Sequence, residues 1–244
     1  MIITSPHNQK LKQIRRLARR RGREAAGRFV AEGEDLLVAA DDAGWPALER
    51  FVAAGSGLQG TEVEPEILAH TSALGSGTRA LAVYEERWAA VSGPLCLCLW
   101  GVADPGNVGT ALRTAAAFGV ASVALGPGCA DPYGPKAVRA SMGAVFSVPL
   151  ARVSSLDELP GRAIALVAGA GEPLRGPLEG DVTLVVGAER AGLPDEIVAG
   201  AAQVAHIPIA TESLNAAIAA AIALYEITRD PGAGTSPQSG EEDA

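Results

Sequence analysis

From residue 95 onward the chain repeats one pattern: a short, fully apolar run, a glycine-containing turn, then a helix-like stretch of small residues. LCLCLWGV (95–102) leads through DPG into NVGTALRTAAAFGV, and ASVALG follows at 121–126. RAIALVAG (162–169), DVTLVVGAE (181–189) and QVAHIPI (203–209) are later runs of the same kind. A strand with one face in water alternates apolar and polar residues, whereas a strand buried on both faces is apolar throughout. The pattern therefore predicts an α/β fold, a parallel sheet with helices on both sides. PKAVRASMGA (135–144) reads as helical, VFSVPL (145–150) as extended, and a final helix is expected from about 213 to 229.

Residues 1–90 read as a smaller α/β unit. A helix is expected over 8–21, where Leu11, Ile14, Leu17 and Ala18 recur at three- and four-residue spacing with the bases on the other faces. Strands are expected at 29–33, 50–55 and 78–86, with helices at 34–44, stopped by Gly44, and at 65–71. Periodicity is lost over 87–94, which is expected to link this unit to a second domain over 94–230. The stretch 231–244 is acidic and rich in Pro, Gly and Ser, and is expected to be disordered.

Charge is unevenly spread. Residues 1–28 hold nine Lys/Arg and one acid, Glu24, a net +8 in a chain whose total is −8, so the remaining 216 residues carry −16. A net-acidic chain with its positive charge gathered at one end suits a polyanion, and the basic helix, with Arg15, Arg16, Arg19 and Arg20, is read as an RNA- or DNA-binding face. No apolar run approaches the roughly 18–20 residues of a membrane span. The first residues are too charged for a signal peptide, and the cytoplasm is the expected compartment. Cys96, Cys98 and Cys129 are an odd number of thiols. The first two share one strand face without metal-ligand spacing, so buried free thiols and no metal are expected.

Three turns stand at the carboxyl ends of expected strands, where open α/β sheets bind ligands. Asp104-Pro-Gly-Asn107-Val-Gly109 opens a helix that carries Arg113, with Asn107 read as its cap. Gly187-Ala-Glu189-Arg-Ala-Gly192-Leu-Pro194 places an acid between two glycines that let a ligand approach the backbone. Ile207-Pro208-Ile209-Ala-Thr-Glu-Ser213-Leu214-Asn215 leads into an Ala-rich helix, with Ser213 read as its cap. Taken singly, an ordinary βα turn or close helix packing accounts for each segment as well as a binding site does.

Together the three segments set N-x-G-x-x-x-R (Asn107, Gly109, Arg113), G-x-E-x-x-G-L-P (Gly187, Glu189, Gly192, Leu193, Pro194) and I-P…S-L-N (Ile207, Pro208, Ser213, Leu214, Asn215) in order. The run Asp131-Pro-Tyr133-Gly-Pro-Lys136-Ala-Val-Arg139-Ala-Ser141-Met-Gly143 lies between the first and the second. With these motifs, residues 95–229 strongly resemble the SpoU/TrmH family of SPOUT RNA methyltransferases. Residues 5–90 resemble, more loosely, that family's amino-terminal RNA-binding domain.

The resemblance implies a SPOUT-type knotted parallel-sheet catalytic domain behind a smaller amino-terminal α/β RNA-binding domain. It implies S-adenosylmethionine held by the backbone around Gly187, Ile207 and Leu214, and a homodimer through the last helix. Asn107, Arg113, Glu189, Ser213 and Asn215 would surround the transferred methyl group and a target ribose 2′-hydroxyl. The loop from Ile207 to Ser213 departs from the family by being shorter and lacking its usual Gly. Lys136 and Arg139 join the basic helix as expected phosphate contacts, and Tyr133 is the one aromatic expected near the site for base stacking. Arg113 is read as orienting the ribose or its adjacent phosphate, since a guanidinium serves as a base only in exceptional surroundings, and base action stays open as the alternative. Large-subunit ribosomal RNA is the expected substrate. Transfer RNA, or a catalytically silent RNA-binding protein of the same fold, are the alternatives. A nucleotide-dependent oxidoreductase lacks its G-x-G-x-x-G fingerprint here.

Overall fold

The computed structural model describes residues 2–75 and 77–229; the tail expected to be disordered, 231–244, lies outside them. The amino-terminal unit runs α1 (Gln9–Leu17), α2 (Arg20–Ala26), β1 (Arg28–Glu32), α3 (Glu34–Asp42), β2 (Glu49–Ala53), β3 (Thr61–Val63), α4 (Pro65–Thr71) and β4 (Ala80–Glu85). Its strands form one sheet in the order β1-β4-β2-β3, with β4 antiparallel to both neighbours. Leu11, Ile14 and Leu17 of α1 are buried against this sheet, as their spacing predicts.

The single helix expected over 8–21 is two. Arg19 adopts an extended backbone (φ −99°, ψ 139°) and α2 turns back on α1. Arg23 explains the break. Its guanidinium donates to the free carbonyls of Leu17 and Ala18 at the end of α1 (2.8 and 3.1 Å) and to the Asp131 carboxylate (Nε, 2.9 Å). Basic side chains commonly close helix carboxyl ends in this way. Arg23 is only 3% exposed, so one of the nine bases of the amino-terminal cluster serves the fold rather than the surface.

The second unit runs β5 (Leu95–Leu99), α5 (Pro105–Ala117), β6 (Ser122–Leu125), α6 (Pro135–Ser141), β7 (Leu150–Arg152), β8 (Arg162–Leu166), β9 (Glu172–Pro173), β10 (Val182–Val186), α7 (Asp195–Gly200), β11 (Gln203–His206) and α8 (Ala216–Thr228). All of its strand pairs are parallel, in the order β7-β6-β5-β10-β8-β11-β9. The apolar runs are this sheet, buried on both faces. Cys96 and Cys98 lie on one face of β5 as free, buried thiols, and burial pushes them and Cys129 up from the ordinary thiol range. The stretch 145–150 is not extended throughout. Ala144–Phe146 form a 3₁₀ turn, which carries Phe146 into the core before β7 begins.

The two units share a hydrophobic cluster. Phe29, Trp45 and Tyr84 of the first meet Tyr133 and Phe146 of the second, with ring centroids 4.7 Å apart for Phe29–Tyr133 and 4.9 Å for Tyr84–Phe146. Tyr133 is fully buried, and its hydroxyl accepts from the Arg87 backbone N–H (3.1 Å). It therefore cannot stack on an RNA base, contrary to the expectation from sequence. No helix among the described residues is long and apolar enough to cross a membrane.

Arg23→Ala would leave the largely buried Asp131 without its cation and α1 without its closing donor. A loss of about 3–5 kcal/mol of stability is expected, read by urea denaturation at neutral pH; a loss below about 1 kcal/mol would contradict this account of the junction.

Candidate functional site

In a parallel sheet, ligands bind beyond the carboxyl ends of strands where the strand order reverses. Here that point lies between β5 and β10, since β6 and β7 follow β5 to one side while β10 and the remaining strands lie on the other. The turns after β5, β10 and β11 meet there.

After β5, Asp104 caps α5, its carboxylate accepting from the Asn107 backbone N–H (2.9 Å). The helix begins at Pro105, so the preceding residue takes the cap and the Asn107 side chain is released from the role read from sequence. Gly109 faces α6, not the site: a Cβ there would lie 2.4 Å from the Ala137 carbonyl oxygen.

After β10, Ala188 and Gly192 bond each other across the turn (2.9 and 3.2 Å). A Cβ on Gly187 would lie 2.4 Å from the Gly192 backbone, so this glycine is required for the turn to close on itself. The closed turn aims the half-buried Glu189 at Asn107, whose side-chain N–H donates to the Glu189 carboxylate.

After β11, Asn215 rather than Ser213 caps the last helix. Its side-chain oxygen accepts from the N–H groups of Ala217 (3.0 Å) and Ile218 (3.2 Å), because α8 starts at Ala216, three residues later than the reading from sequence. Its side-chain N–H donates to the Asn107 side-chain oxygen, Oδ1 (2.9 Å). One continuous chain of hydrogen bonds, Asn215 to Asn107 to Glu189, thus ties three turns together.

Beside this chain opens a cleft of about 540 Å³, lined by Gly187, Glu189, Ile207, Ser213 and Leu214 among others. That volume falls in the range of small-molecule sites. Leu166 at the end of β8, and Val167 and Ala168 just beyond it, complete its apolar wall; no motif in the sequence marked them. Glu189 and Glu212 supply carboxylates and Arg190 a guanidinium. An apolar slot edged by two acids and one base keeps a net negative charge, which favours an organic cation. His206 lies in β11 with Nδ1 3.3 Å from the Ala170 carbonyl oxygen, away from the hydrogen-bonded chain.

Arg113 is not brought into this cleft. It is exposed and borders a separate shallow groove with Asp42, Met142 and Gly143, and its guanidinium has no hydrogen-bond or ion-pair partner among the described residues. The basic residues also divide. Arg15 is tethered to the Pro6 carbonyl (2.6 Å) and Thr71, Arg20 to Glu24 (2.8 Å), and Arg139 to Asp35 (2.7 Å). Arg16, Arg19 and Lys136 are exposed and have no such partner among the described residues.

Residues 94–225 match the family model described as the SpoU rRNA methylase family, and residues 8–93 match the MRM3-like substrate binding domain. An uncharacterised tRNA/rRNA methyltransferase of Synechocystis is 32% identical, covering 96% of each chain. The 23S rRNA (guanosine(2553)-2′-O)-methyltransferase RlmP of Bacillus subtilis is 30% identical over 92% of this chain and 98% of its own. The crystal structure of an AdoMet-bound rRNA methyltransferase from Sinorhizobium meliloti superposes with a TM-score of 0.83 at 30% identity, covering 93% of this chain and 97% of that one.

Asn215→Ala removes both the helix cap and the donor to Asn107, and a loss of about 1–2 kcal/mol in chemical denaturation is expected. Asn215→Asp keeps the cap but cannot donate to Asn107, and should lose only the part due to that exposed hydrogen bond, about 0.5 kcal/mol. Equal losses for the two variants would contradict the cap.

Proposed function

The chain belongs to the SpoU rRNA methylase family, and we propose that it methylates a ribose 2′-hydroxyl of large-subunit ribosomal RNA at the cleft beside Asn107, Glu189 and Asn215. It is an RNA 2′-O-methyltransferase whose methyl donor is S-adenosylmethionine. The observation that carries the site assignment is the hydrogen-bonded chain Asn215–Asn107–Glu189, which joins three turns at the reversal of strand order. The substrate is inferred from the RNA named for RlmP and from the basic face of the amino-terminal unit.

The cleft fits the methyl donor by its size, its apolar wall and its carboxylates. When bound, S-adenosylmethionine supplies a methyl group on a positively charged sulfur, an electrophile that needs no further activation. The backbone around Gly187, Ile207 and Leu214 would hold it, in the carboxyl-terminal segment that the family resemblance implies is knotted. The carboxylates of Glu189 and Glu212 favour a cation there.

The chain's remaining task is to present a weak alcohol. Orientation of this kind is worth roughly 7–11 kcal/mol of the barrier. Asn107, fixed from both sides, and Asn215 form a rigid polar edge on which a ribose can be placed, with Ser213 at the mouth. As the hydroxyl oxygen takes the methyl group its proton is released to water at the open mouth of the cleft, so no side chain is assigned as the base. Arg113 is assigned to orient the ribose or its adjacent phosphate, since a guanidinium donates hydrogen bonds and does not accept them.

Because Arg113 stands outside the cleft of its own chain, this reading brings it from a second copy. The last helix offers the surface: Ile218, Ile222 and Tyr225 are 52%, 39% and 57% exposed and recur at helical spacing along α8. An apolar stripe of this kind is buried by association.

Arg113→Ala is expected to lower transfer of labelled methyl to transcribed large-subunit RNA by about 100-fold, the cost of a misplaced reactant, with S-adenosylhomocysteine affinity by calorimetry within about twofold of the parent. Unchanged turnover would remove Arg113 from the reaction. Replacing Arg16 and Arg19 by Gln should reduce the slope of log affinity against log salt by about two. An unchanged slope would return that helix face to solvent.

A further inference from the structure

We propose that the cleft at the carboxyl ends of β6 and β7 is a second RNA subsite, in which the Arg152 guanidinium, seated over the Trp88 ring, stacks an unpaired base flanking the target nucleotide. The inference rests on the reading that RNA is the substrate, and adds a recognition element outside the methyl-transfer cleft.

The cleft has a volume of about 290 Å³ and is lined by Trp88, the loop from Leu125 to Pro132, Arg152 and Val153, with Arg20 of α2 at its edge. The Arg152 Cζ lies 4.0 Å from the centre of the Trp88 ring, a stacking distance. Trp88 is itself fixed: its indole N–H donates to Glu86 (3.2 Å), and Tyr133 packs edge-on against it at 5.2 Å and 88°. The exposed Arg152 makes no close ion pair among the described residues, the half-buried Glu86 acting on it only at longer range, so the ring positions it. A guanidinium held in this way presents its outer face, and such planes stack unpaired RNA bases.

The electrostatics favour a polyanion. Asp131 is the one acid lining the cleft, and its charge is already met by Arg23. Arg152 and Arg20 remain for phosphates, Arg20 sharing its charge with the exposed Glu24.

The position favours RNA already engaged at the methyl-transfer site. Both clefts open on the carboxyl edge of the same sheet. Gly101 neighbours both: a Cβ on Gly128, in this cleft, would lie 3.2 Å from the Gly101 Cα, and a Cβ on Gly101 would lie 3.7 Å from the Cβ of Ala188, in the other. Tyr133, the aromatic singled out from sequence, is buried beneath Trp88 and supports the platform rather than forming it.

The test uses the full chain and the variants Arg152→Ala and Arg152→Lys, the second keeping the charge while losing the plane. Both should raise the KM for transcribed large-subunit ribosomal RNA and the Kd for a single-stranded uridine oligonucleotide by roughly 5- to 100-fold. The kcat and the affinity for S-adenosylhomocysteine should be unchanged. Parent-like behaviour of Arg152→Lys beside an impaired Arg152→Ala would reduce Arg152 to a point charge and overturn the stacking. Oligonucleotide affinities equal to the parent's in both variants would overturn the subsite altogether. Failure of the parent chain to methylate the ribosomal transcript would instead overturn the ribosomal substrate, and the oligonucleotide comparison would still decide the subsite.

Discussion

The side chain of Asn107 is held from two directions, donating to Glu189 and accepting from Asn215, and the site depends on that double grip. The three residues arrive on turns after β5, β10 and β11, which the sequence separates by 82 and 26 positions. A parallel sheet brings them together because its strand order reverses between β5 and β10. Each partner is also bound into its own turn. Asp104 caps α5 so that Asn107 is free, the closed Gly187–Gly192 turn aims Glu189, and Asn215 caps α8 with the same amide that reaches Asn107. Fold and site are therefore one set of hydrogen bonds, which is what a reaction controlled by alignment requires.

Much of this was legible in the residues. The fully apolar runs specify strands buried on both faces, and the sheet follows from them. The turns at 104–109, 187–194 and 207–215 stand at strand ends, and four of the five expected polar site residues lie at the one cleft or on the chain of hydrogen bonds beside it. The reading failed where one residue decides between neighbouring alternatives. A cap belongs to whichever side chain immediately precedes the first helical residue, and composition cannot fix that residue to better than a turn. The cap readings at Asn107 and Ser213 therefore went to Asp104 and Asn215. Periodicity likewise ran through Ala18 to 21, because Arg23 supplies the reason to break there only by bonding Asp131, 108 residues away.

That same contact shows how the two units become one body. The interface is built of a fully buried Tyr133, rings from both units, and an ion pair largely withdrawn from water. None of these has a local signature, and the segment 87–94 read from sequence only as a link. A consequence is that the basic helices are fixed relative to the sheet's carboxyl edge, where Arg20 reaches the cleft of Trp88 and Arg152. Charge placed at one end of the chain is thereby delivered to the edge where the chemistry is assigned.

Asn107→Asp changes one donor to an acceptor at constant shape and sets two carboxylates face to face at the centre of the site. The direct measurement is the map of ribose 2′-O-methylation across total RNA from cells lacking the native chain and supplied with either version. With the far-UV circular dichroism of the variant unchanged, the account predicts a methyl mark restored by the parent and missing with the variant. A mark restored equally by both would contradict it.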